Sequence, residues 1–293
     1  MNTPQLGVLA PAPNHSRYIE FGALPDADAK SVLRDLARQS IDESTVIGIG
    51  PALISGIGKT VDGLRPFPNL SGPQCAAPST QSDLWCWARA DDPGHALHIA
   101  RKFEQLVEPA FRADRVVDGF KFDRGLDLSG YEDGTENPVG DDAFAAAITK
   151  NASPALDGST FVAVQQWVHD LFHFESLSQK DRDNIIGRRL SDNEELDDAP
   201  ISAHVKRTAQ ESFDPEAFII RRSLPWGDAT GEGLMFVAFG ESLDAFEAQL
   251  RRMTGQEDDV IDGLFRFSRP VSGSYFWCPP VSDGKLVLSA LGI

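Results

Sequence analysis

One order of strands and helices occurs twice in this chain, and that duplication limits the fold more than any single motif. In the first half, residues 84–89 (LWCWAR) form an apolar, strand-like run, and Asp91-Asp92-Pro93-Gly94 opens a helix predicted over residues 95–107. In the second half, residues 234–239 (LMFVAF) are again strand-like, and Gly240-Glu241-Ser242 leads into a helix over residues 243–253. Leu97, Ala100, Phe103 and Leu106 recur three apart, and Leu243, Phe246, Leu250 and Met253 three or four apart, so each helix has one face to bury. Upstream, the first half offers a strand at 16–21, a helix at 28–39 and a strand at 45–54; the second offers the same at 161–169, 180–189 and 218–224. Each half reads β-α-β-β-α-β, an α+β, ferredoxin-like unit with a four-stranded antiparallel sheet. The turn-rich stretch 151–158 (NASPALDG) marks the boundary, giving halves of residues 1–150 and 151–293.

Composition removes several classes of function. Forty-four acidic against 27 basic residues give a formal charge of −17, which repels nucleic acid and anionic membrane and favours cationic or neutral partners. Cys75, Cys86 and Cys278 are too few and too scattered for a disulfide framework or a zinc site, as a reducing compartment would allow. No stretch reaches the roughly 18 apolar residues of a membrane span, and the first residues lack a basic, apolar or twin-arginine signal. A cytoplasmic location is expected. The acidic run 192–198 lacks the glycine and terminal glutamate of a calcium loop and reads as a solvated loop.

Gly130-Tyr131-Glu132-Asp133-Gly134-Thr135-Glu136-Asn137-Pro138 is the stretch that carries chemistry. Glycines on either side of Asp133 can take positive φ, so the backbone can lie flat and aim one carboxylate at a planar group. A solvated surface turn is the plainer alternative. Two later segments decide against it: Ala203-His204-Val205-Lys206-Arg207, and Ile220-Arg221-Arg222-Ser223-Leu224-Pro225-Trp226-Gly227. In this order the three resemble the GxxDG motif, the proximal-histidine segment and the R-x-[NS]-x-P-aromatic-G segment of the dye-decolorizing peroxidases, and the resemblance extends over nearly the whole chain.

The resemblance implies a dimeric α+β barrel, two ferredoxin-like units packed sheet to sheet, with one haem b per chain clasped between the halves. It implies reduction of hydrogen peroxide and oxidation of dyes, phenols or other small aromatic reductants through a ferryl intermediate. His204 is then the axial ligand of the iron, and Asp133, Arg221 and Ser223 are the catalytic residues of the distal side, Ser223 standing where many relatives have asparagine. Arg207, Gly134, Thr135 and Glu136 become cofactor contacts. The lack of a twin-arginine signal matches the intracellular, class B-like branch, and a homo-oligomer is expected. The closing Leu291-Gly292-Ile293 resembles the tail that loads some relatives into encapsulin shells.

The residue types suit those roles. A haem peroxidase needs an electron-donating iron ligand, a group that moves the peroxide proton and a cation to stabilise charge as the O–O bond breaks. A ligating imidazole usually donates its other N–H to a carboxylate. Asp262 is the candidate partner, with Asp259 close enough to compete. Arg222 competes with Arg221, and the spacing to Ser223 favours Arg221. His169 and His173 are four apart, but FVAVQQWVHDLFHF reads as strand and turn rather than a helical metal pair. Trp85, Trp87, Trp167, Trp226, Trp277 and Tyr131 are available for relaying electrons; most of them read as core, and Tyr131 alone has a positional argument. The competing function is a non-catalytic haem-binding or iron-handling protein, which needs His204 but makes no demand on Asp133 or Arg221.

Overall fold

The computed structural model describes residues 2–150 and 153–293. The first half runs β1 (His15–Ala23), α1 (Ala29–Arg38), β2 (Thr45–Ile49), β3 (Leu84–Ala90), α2 (Pro93–Val107) and β4 (Phe111–Phe120). The second half runs β5 (Thr160–His169), α3 (Gln179–Ile186), α4 (His204–Arg207), β6 (Leu224–Asp228), β7 (Gly231–Gly240), α5 (Asp244–Met253) and β8 (Ser274–Cys278). Strand order is β4-β1-β3-β2 in one half and β8-β5-β7-β6 in the other, with every pairing antiparallel. Two seams join the sheets, Ile49 pairing with Trp277 and Gly119 with Trp226, and close the eight strands into one barrel. Of the expected boundary stretch, Asn151 and Ala152 lie outside the described residues. Beyond them, the Leu156 and Asp157 N–H groups both donate to the Ser153 carbonyl in a turn.

Alternation along each strand sorts the side chains. On β3, Trp85 and Trp87 point into the barrel, while Leu84, Cys86 and Ala88 face the helices. The interior is an aromatic stack: the Trp85 ring lies 6.3 Å from Trp87 and 5.9 Å from Phe276, and Tyr18 lies 5.9 Å from Trp87. Trp87 Nε1 donates to Ser16 Oγ at 2.7 Å, so its one polar atom is satisfied. Outside the first sheet, Leu33 and Leu36 of α1 and Ala100 and Phe103 of α2 join the core. Asp28 caps α1 by accepting the Ser31 N–H, and Asp92 caps α2 by accepting those of Gly94 and His95, with Pro93 in the first turn.

Differences from the sequence reading have local causes. The strand expected over 45–54 stops at Ile49, because Gly50 and Pro51 start a helix, Pro51–Gly56. The strand expected over 218–224 is two pieces, Ile220–Arg221 and β6, and between them Ser223 Oγ accepts the Val237 N–H in place of a backbone carbonyl. The helix expected to reach 189 ends at Ile186, where Gly187 takes a left-handed φ of 95°. Among the described residues, no helix is long and apolar enough to cross a membrane. Because Trp85 contacts aromatic rings on both sheets, Trp85→Ala is expected to lower unfolding free energy by about 3–5 kcal/mol, read by chemical denaturation.

Candidate active site

The register of β5 on β7 builds the floor of a cavity. Trp167 lies opposite Leu234 and Gln165 opposite Phe236, all four on the face turned away from the barrel interior. Phe246, Leu250 and Met253 of α5 form one wall, and His204, Asp133 and Arg221 are among the residues that line the rest. The cavity therefore lies outside the second sheet, and the expectation of a group clasped between the two halves is corrected. The space between the sheets is taken by Trp85, Trp87, Phe239 and Phe276.

His204 opens the one-turn helix α4, and its Nδ1 lies 2.8 Å from Asp262 Oδ2. The Asp262 side chain has no exposed surface, and its other oxygen accepts the Leu264 N–H at 2.8 Å. A carboxylate only accepts, so Nδ1 donates in this bond, and Nε2 is the ring nitrogen left to bind a metal. Asp262, not the competing Asp259, is thus the partner; Asp259 instead adopts a left-handed φ of 61°. The close approach of α4 depends on Gly187, where a Cβ would stand 2.3 Å from the Val205 side chain.

The loop bearing Asp133 is tied down at several points. Gly130 and Gly134 take φ of 89° and 77°, as their bracketing position requires. Asp127, before them, accepts from the Ser129 N–H and contacts His169 Nε2 at 3.1 Å, and His169 Nδ1 meets Ser268 Oγ at 2.7 Å. Burial alone would raise the Asp127 carboxyl pKa, but the bonds and charge of His169 and the bonds from Ser129 outweigh it and hold the group below its usual range. Tyr131 is buried and donates to Asp183 Oδ1 at 2.5 Å on α3, so it anchors the loop and is no surface relay. His169 sits on β5 while His173 sits on the short helix Leu171–Ser176, and no cluster of metal-ligating side chains occurs among the described residues.

The Asp133 carboxylate and the Arg221 guanidinium have no hydrogen-bond or ion-pair partner among the described residues, yet both line this cavity and a second one of about 290 Å³ beside it. Gly134 and Ser223 line only the second. Arg222 is spoken for, its guanidinium donating to the carbonyls of Leu9, Ala10 and Arg221. The sequence residues are not all brought together. Arg207 is buried away from the cavity, where it donates to Asp258 and to the Arg252 carbonyl. Thr135 and Glu136 line a separate, open cleft of about 1080 Å³, where Glu136 pairs with Arg188. That cleft also carries Asp142, Asp214, Glu216, Asp244 and Glu257, against Arg252.

Comparison with known proteins gives the family. The N-terminal domain of the Dyp-type peroxidases matches residues 7–121 and the C-terminal domain residues 124–283. The chain belongs to the Dyp-type peroxidase family. A dye-decolorizing peroxidase of Mycobacterium tuberculosis is 34% identical over 228 residues, 74% of this chain and 67% of that protein. A haem complex of an arginine-to-leucine variant of Rhodococcus jostii DypB superposes with a TM-score of 0.86 at 26% identity, over 94% of this chain and 96% of that one. The encapsulated DyP-type peroxidase of Mycobacterium smegmatis superposes with a TM-score of 0.82 at 25% identity, over 95% and 96% of the two chains.

The donor set suits the cofactor of this family. One imidazole offers Nε2, apolar side chains from β7 and α5 line the same cavity, and the buried Gln165 Nε2, beside it, lacks a partner among the described residues. Asp262 should set the electron donation of His204. In haem-loaded protein, Asp262→Asn is expected to raise the iron reduction potential while His204 remains bound, checked by spectroelectrochemical titration.

Proposed function

We infer that this chain is a haem b-dependent peroxidase, one haem per chain, that reduces hydrogen peroxide and oxidises small aromatic reductants. The observation that carries the reading is the pair of unpartnered side chains, Asp133 and Arg221, lining the same cavity as an imidazole already committed to Asp262. A haem-storage protein would gain nothing from them. Leaving a carboxylate and a guanidinium unpaired in a partly buried site is costly, and function is the common reason for it.

When bound through His204, the haem supplies the redox chemistry, receiving two oxidising equivalents and passing them singly to reductants. The chain supplies proton movement and electrostatics. The Asp133 carboxylate accepts a proton from hydrogen peroxide and returns it to the oxygen that departs as water. The Arg221 guanidinium, which lines the same two cavities as Asp133, stabilises the charge that grows on that departing oxygen. Ser223 and Gly134, on the adjoining cavity, shape the approach to this pair.

All five tryptophans and all three tyrosines are buried, so the surface offers no such side chain for oxidising a bulky substrate at a distance. Free cysteines, with Cys86 and Cys278 buried, suit a cytoplasmic location. In the short 3-10 turn Ser289–Leu291, Leu291 is wholly buried in the main core and the Ile293 N–H donates back to the Leu288 carbonyl. Shell loading through Leu291-Gly292-Ile293, as in an encapsulated relative, would require this segment to undock first.

Asp133→Ala and Arg221→Leu should each slow the reaction of haem-loaded protein with peroxide by about 10²–10⁴-fold in stopped-flow absorbance; wild-type rates in both would remove the assigned roles. With the charge of −17 and an acidic cleft beside the site, kcat/KM for a cationic phenylenediamine-type reductant should fall as salt rises, while that for a neutral phenol stays nearly flat.

A further inference from the structure

We propose that Asn137 is a positioning residue that sets the spacing between Asp133 and Arg221. The inference rests on the catalytic roles assigned to that pair and adds the part that holds them in register. Neither functional side chain has a partner of its own, so their separation must come from the backbones that carry them.

Those backbones are joined directly by one side chain. The Arg221 N–H donates to Asn137 Oδ1 at 2.8 Å, and Asn137 Nδ2 donates to the Arg221 carbonyl at 3.1 Å, across 84 residues of sequence. Ile220–Arg221 lies at the edge of β7, and the Arg222 N–H donates to the Val237 carbonyl. Alternation then turns the Arg221 N–H and carbonyl away from β7, where no further strand among the described residues receives them. The Asn137 carboxamide takes the place of that missing strand.

At its other end the same residue closes the turn that carries Asp133. The Asn137 N–H donates to the Gly134 carbonyl at 3.0 Å, and a Cβ on Gly134 would stand 2.7 Å from Asn137 Nδ2. Gly134 is thus needed twice, for its φ of 77° and for the room it leaves the amide. The run D-G-x-x-N acts as one clamp: the aspartate is aimed, the glycine makes space and the asparagine grips the arginine strand.

The test uses haem-loaded protein carrying Asn137→Ala, Asn137→Asp or Gly134→Ala, each alone and in an Asp133→Ala/Arg221→Leu background. Stopped-flow absorbance at the Soret band counts only haem-loaded molecules, so a loss of occupancy does not enter the rate. Asn137→Ala should slow the peroxide reaction by roughly tenfold or more, because small displacements of catalytic groups are costly, while the later reductant step stays within about twofold. Asn137→Asp keeps the acceptor for the Arg221 N–H but sets an anion against the Arg221 carbonyl, and Gly134→Ala drives a methyl into the amide; both should show the same kinetic signature. Amide hydrogen exchange at Arg221 should rise in Asn137→Ala. In the double-substituted background the three changes should cost less than about twofold. Rates within about twofold of wild type in all three single variants overturn the proposal, as does a loss that persists undiminished in that background. If Asp133→Ala/Arg221→Leu itself reacts at the wild-type rate, the assigned catalytic roles fail instead.

Discussion

The eight consecutive pairs between β5 and β7, from Gly233 with Val168 to Gly240 with Phe161, are the constraint on which the site depends. They turn Gln165, Trp167, Leu234 and Phe236 to the cavity and Val162, Val164, Val237 and Phe239 to the barrel interior. A slip of one residue would exchange those two sets, filling the cavity with the interior's side chains and placing Gln165 among the stacked aromatics. The identity of the floor and the integrity of the core are therefore one choice of register.

Both halves share a topology but not a use. Over the first sheet, α1 and α2 together supply Leu33, Leu36, Ala100 and Phe103, which fill the outer face. Over the second sheet α5 packs on one part of that face, and the remainder is enclosed by α4 and by the Asp133 loop, which the chain lends across from its earlier portion. The next pair on that face, Ala163 with Ala238, lies beyond the cavity and joins the main core. Duplication supplied two equivalent faces, and the loops between strands made one of them a site.

Much of this was legible from the chain. Asp28 and Asp92 announce helix starts, and the periods of Leu97 to Leu106 and Leu243 to Met253 announce helices, because caps and apolar stripes are local signals. The fourth strand of each unit was not readable alone: Phe111–Phe120 leaves half of its residues exposed, three of them in a row, and Ser274–Cys278 buries all of them, so neither alternates cleanly. His204, Asp133 and Arg221 do meet at one cavity, with Asp262 buried behind His204. Arg207 does not, since a basic residue beside a ligand looks the same in sequence whether it faces a cofactor or, as here, Asp258. Asn137 escaped notice because its work is done on backbone atoms, which leave no pattern of matching side chains.

The barrel interior has an optical consequence. Trp85 and Trp87, 6.3 Å apart and inclined by 27°, form a coupled pair of indoles on the opposite face of the strands from the catalytic cavity. Near-ultraviolet circular dichroism of the cofactor-free protein, to which that pair contributes, reports the packing of the barrel. The protein thus carries two separate chromophoric gauges, one for the scaffold and one for the chemistry.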